Sequence, residues 1–176
     1  MDAHERGDAL AGPLAELRAL LADAARSLQH AGARSELRAD LVRGPALLGR
    51  RARLVRRGRI WRLGVVLLAP SGEVFAGGTV VTGAPLGHPN FRSAIALERR
   101  ELQVAARRGR IPPDEVVTVG ARPVALDPAA FAADPGPFVV TGDGLGVRWS
   151  PAADPVAAGP YLAERVALLL DPPEGA

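Results

Sequence analysis

The residues best suited to chemistry lie in one stretch, His88 to Gly109, HPNFRSAIALERRELQVAARRG, where Glu98 sits among helix formers. At 100° per residue Ile95, Leu102, Ala105 and Ala106 fall on one side of a helix with Glu98 between them, so the spacing aims a carboxylate inward. Such a group could act as a general acid or base, or hold a polar ligand. An inward carboxylate is more commonly satisfied by an arginine or by loop amides, and that structural role is the simpler expectation. His88, Asn90 and Arg99 are the candidate ligand contacts beside it, although His88, next to Pro89 in GHPNF, fits a turn equally well. On the far side of the same helix Leu97 and Val104 form a second apolar strip, which needs cover from a connector or from a second copy of the chain.

A second constellation is the charge run GRRARLVRRGRIWR, in which Arg50, Arg51, Arg53, Arg56, Arg57 and Arg59 could contact phosphate or nucleic acid. Trp61 is the only aromatic there, too little for a base-stacking platform. A solvated edge strand guarded by charge ranks ahead, and nucleic acid is the least expected partner. The chain has no cysteine and no lysine, so all 22 basic residues are arginines. Disulfides, thiolate nucleophiles, Schiff-base lysines and the phosphate-loop lysine are therefore excluded. His4, His30 and His88 are dispersed, so no metal site and no cofactor are expected. The pI near 10.7 reflects the pKa of arginine, because the formal net charge is only +3.

The elements that must position these residues follow from periodicity. At 176 residues the chain suits one domain. An aromatic share of 4% leaves Leu, Val and Ala to build its core. Leucines spaced by three, four and seven predict a helix over 8–31, stopped by Gly32. Residues 32–58 read as a connector, and 59–171 as sheet and helices, with flexible tails at 1–7 and 172–176. A hairpin turns at PSGE, between RIWRLGVVLLA and VFAGGTVVTG; a helix over 93–108 and the strand EVVTVG follow. Then come a short helix capped by Asp127, a hairpin around Gly142-Asp143-Gly144 and a final helix in GPYLAERVALLL. The fold class is α/β, three layers with a central mixed sheet of about five strands and helices on both faces. No internal repeat is apparent. No cationic, apolar leader opens the chain, and runs such as Leu63 to Ala69 are too short to span a bilayer, so the expectation is a cytoplasmic protein with no membrane partner.

The succession GVVLLAPSGEVFAGGTVV, AIALERRELQVAARRG and EVVTVG resembles the core of the cytidine deaminase superfamily. In that family a hairpin leads to a helix opening Cys-Ala-Glu or His-Ala-Glu, and a later helix opens Pro-Cys-x-x-Cys. The resemblance implies that Glu98 matches the glutamate that shuttles protons beside a zinc-bound water. It also places Ala96 where the first zinc ligand belongs, and Pro123 to Ala132, without Cys or His, where the other two belong. The implied protein is a zinc-less pseudoenzyme. The whole chain also resembles a group of small bacterial proteins that carry a glutaminase label.

The expected function is a non-catalytic binding or protein-interaction module for an unidentified small molecule or protein, self-associating through Leu97 and Val104. The alternative is an amide or amidine hydrolase with Glu98 as general base. The second alternative is nucleic-acid binding through residues 50–62.

Overall fold

A computed structural model describes residues 3–44, 51–82, 94–142 and 144–173. It opens with α1, Ala3–His30, so the residues expected as a loose tail are helical from Ala3 onward. Leu14, Leu17, Leu21 and Leu28 form its buried stripe. The helix stops where Gly32, at φ +63°, takes the left-handed conformation that a side chain disfavours. There the Ala33 N–H returns to the Leu28 carbonyl and the Gly32 N–H to that of Gln29, closing the last turn.

The expected connector 32–58 instead holds β1, Glu36–Val42, and the first part of β2, Arg53–Leu63. In β1, Leu37, Ala39 and Leu41 alternate with Glu36, Arg38 and Asp40, a period of two that places charge on one sheet face. RIWRLGVVLLA is two strands, because β2 turns at Gly64-Val65 into β3, Val66–Leu68. Gly64 has φ +65°, and a Cβ there would lie 2.2 Å from the Tyr161 hydroxyl. That hydroxyl accepts from the Val65 N–H at 3.1 Å and donates to the Leu63 carbonyl at 3.2 Å, fastening the turn. The hairpin expected at PSGE joins β3 to β4, Val74–Ala76. Gly77 and Gly78, at φ +71° and +88°, then end the strand, and TVVT forms a separate strand, β5, Thr79–Thr82.

The remaining elements are α2, Ala94–Arg108, β6, Val116–Val119, β7, Arg122–Val124, and α3, Pro128–Ala133. They are followed by β8, Phe138–Thr141, β9, Gly144–Val147, β10, Val156–Ala157, and α4, Ala158–Leu170. Asp127 caps α3 as expected, accepting from the Ala130 N–H at 3.0 Å. The β8–β9 hairpin forms as expected, with Asp143 of its turn outside the described residues. Hydrogen bonding orders seven strands as β5-β6-β1-β2-β3-β4-β7, with a separate three-stranded sheet β10-β9-β8. The larger sheet is mixed, since β1 runs parallel to β6 and antiparallel to β2. The expectation of about five strands in the central sheet is corrected to seven: β8 and β9 leave it for the smaller sheet, while β1, disguised by its alternating charges, β7, and the splitting of two expected strands at Gly64 and at Gly77-Gly78 add four.

The chain divides into two compact units. The first comprises Met1–Arg34, Trp61–Ala76 and Pro123–Ala176. Its core joins the α1 leucines to Leu63, Leu68, Phe131, Phe138, Val147 and Tyr161. The second comprises Ser35–Ile60 and Gly77–Arg122. Its core sets Leu37, Ala39, Leu54 and Val117 of the sheet against Leu102, Ala105 and Ala106 of α2. None of the helices among the described residues is long and apolar enough to cross a membrane.

Candidate functional site

Helix α2 buries Leu102, Gln103, Ala105 and Ala106 and packs against β5. Residues 97–101 are all exposed, Glu98 and Arg99 among them. The inward carboxylate expected from periodicity therefore stands in solvent. Its angular position lies between those of Leu102 and Ala105, yet the turn 97–101 is uncovered and burial among the described side chains of α2 begins at Leu102. No ion pair to Glu98 forms among the described residues. His88 and Asn90 lie outside the described residues, and of the candidate ligand contacts only Arg99 is placed, on the same exposed turn. Leu97 and Val104 are 57% and 38% exposed, so the second apolar strip is present on the outer side of α2.

The arginines of β2 are placed more informatively. Arg51, Arg53, Arg56, Arg57 and Arg59 are exposed, and Arg50 lies outside the described residues. Arg57 pairs with Asp40 at 2.8 Å, at a bulge where the register shifts between Arg38 and Ala39. Arg59 reaches Ser35 Oγ at 2.8 Å and Glu115 at 3.1 Å. Arg56 donates to the carbonyl of Arg110 at 2.8 Å, and Arg108 donates to that of Ala52 at 3.4 Å. These last two bonds lay the end of α2 along the first residues of β2. Gly109 permits the approach, since a Cβ there would lie 2.3 Å from the Leu54 carbonyl oxygen.

Arg107, Arg108 and Arg110 thus lie beside β2, a proximity that sequence reading missed, while the register alternates the β2 arginines between the sheet faces, Arg53 opposite exposed Val42 and Arg56 opposite buried Ala39. The signal was present, because the pentapeptide RRGRI occurs twice, at 56–60 and at 107–111. In both copies the isoleucine is buried, Ile60 fully and Ile111 at 5% exposure, while the three arginines are exposed.

Comparison with family models, curated proteins and solved structures finds no match to this chain.

The charge of each unit sharpens the picture. The second unit holds fifteen arginines against six acidic residues, formally +9, and the first holds seven against thirteen, formally −6. The modest overall charge therefore conceals a strongly basic unit of 72 residues, the sum of its two segments. Among the described residues no three His, Cys, Asp or Glu side chains gather closely enough to hold a metal ion. A shallow depression lined by Arg26, Ser27, Gln29 and His30 lies in the last turns of α1, open to solvent, and takes in none of the candidate site residues.

Proposed function

We propose that this chain is a non-catalytic module that binds an anionic partner through the arginines of β2 and the end of α2. The observation that carries the reading is the pairing of the two RRGRI segments, tied by the Arg56 to Arg110 hydrogen bond, within a unit of formal charge +9. Guanidinium groups are permanently charged and fit phosphate or carboxylate through two parallel N–H donors. The side chains of Arg51, Arg53 and Arg107 are exposed and form no hydrogen bond or ion pair with another described residue. Those of Arg56 and Arg108 use part of their donor set on backbone carbonyls, which holds the surface together.

The deaminase-like arrangement belongs to the same proposal. Hairpin, α2 and β6 succeed one another along the chain as in that superfamily, with alanine and not a metal ligand two residues before Glu98. A general-base role for Glu98 draws less support, because the carboxylate is exposed and hydrolytic bases are usually sheltered by their pocket. Chromatography on immobilised heparin tests the proposal. Arg53→Ser with Arg107→Ser is expected to elute at clearly lower salt than the parent, while Arg34→Ser with Arg148→Ser, an equal charge change in the first unit, elutes almost unchanged. Equal shifts for the two variants would sink the proposal, and ammonia release from glutamine lost on Glu98→Gln would favour the hydrolase.

A further inference from the structure

Resting on that reading, we infer that the anionic partner is duplex nucleic acid, held by its phosphate backbone without base recognition. Each RRGRI copy uses a buried isoleucine as an anchor and carries three exposed arginines, those of the first copy already holding Arg110, Asp40, Ser35 and Glu115, and the fold sets the two copies beside one another. The strand from Arg53 to Arg59 spans about 20 Å at ~3.3 Å per residue, enough to follow a backbone across a groove about 12 Å wide. A duplex supplies regularly spaced phosphates over that length, whereas a single small anion would occupy one or two guanidiniums.

Two observations separate the duplex from other polyanions. All aromatic residues of the chain other than Phe91, which lies outside the described residues, belong to the first unit. The second unit therefore presents no described aromatic on which an unpaired base could stack, the usual means of holding single strands. Among the described residues the exposed large hydrophobics beside these arginines are Val42, opposite Arg53 in β1, and Val104, one turn before Arg108 in α2, less than the apolar centre that an acidic protein partner would ordinarily require and that phosphate contacts do not.

The test is fluorescence anisotropy of the full-length protein with labelled 20-base-pair DNA and RNA duplexes, the matching single strands, and polyglutamate, over a salt series. Both duplexes are expected to bind independently of sequence and more tightly than either single strand or polyglutamate. Affinity should fall steeply with salt, and Arg53→Ser with Arg107→Ser should reduce the slope of log K against log salt by about 2, near one per lost phosphate contact. Arg34→Ser with Arg148→Ser should leave the slope unchanged, which separates this surface from a general charge effect. A preference for one duplex type would identify the natural form and support the inference. Tighter binding of single strands or of polyglutamate would overturn it while leaving the anion-binding proposal standing. Absence of binding to every probe at low salt would overturn both.

Discussion

Glu98 stands in solvent, so exchanging its carboxylate for an amide removes no buried interaction. Glu98→Gln is predicted to change stability by no more than about 0.5 kcal/mol, read as an unaltered midpoint in urea denaturation. Tyr161 is the opposite case. Its hydroxyl serves two backbone groups of the Gly64-Val65 turn, and Tyr161→Phe leaves the Val65 N–H and Leu63 carbonyl without that partner. A loss of about 1–3 kcal/mol is expected by the same denaturation measurement. Periodicity found the helix that carries Glu98 but gave the wrong environment, because an angle on a helical wheel does not say which turns along the axis are covered. Nothing in YLAERV marks Tyr161 as a fastener either, since its partners lie almost a hundred residues earlier and are backbone atoms.

At the scale of elements, the helices were legible because their apolar stripes are long and end at glycine or proline. Strand β1 was missed although Leu37, Ala39 and Leu41 alternate correctly, since the intervening Glu36, Arg38 and Asp40 lowered its apolar content below that of the other strands. The two glycines in VFAGGTVV were read as part of a strand, where their positive φ ends one and frees the next to pair with β6. Helix α2 yields a contrast between its faces. Leu102→Ala should cost about 2–4 kcal/mol through lost packing in the second core, whereas Leu97→Ser with Val104→Ser should stay within about 0.5 kcal/mol. Thermal melts followed by circular dichroism distinguish the two, and sedimentation of the second variant reads any self-association through that strip. Gly109→Ala should fall on the costly side, by about 2 kcal/mol, because its methyl group meets the Leu54 carbonyl.

For the whole molecule, a net charge of +3 is the residue of +9 and −6 in units whose segments interleave along the sequence. A window sliding along the chain averages them, and only the fold sorts them. Self-repulsion within the basic unit is screened by salt and neutralised by bound polyanion. Heparin at micromolar concentration is therefore predicted to raise the melting temperature of the parent by several degrees, and that of Arg53→Ser with Arg107→Ser by less. The same interleaving bears on biosynthesis. Helix α1 is made before the other described elements, yet α3, β9 and α4, which pack against it, are translated about a hundred residues or more after it. The second unit has all its segments once Arg122 has emerged, while the leucines of α1 have only Trp61–Ala76 of their own unit by then and wait for Phe131, Phe138, Val147 and Tyr161. Vectorial synthesis thus leaves an early apolar helix in need of shelter, and nascent chains arrested near Arg122 should expose α1 to protease while β1, β5 and β6 already resist it.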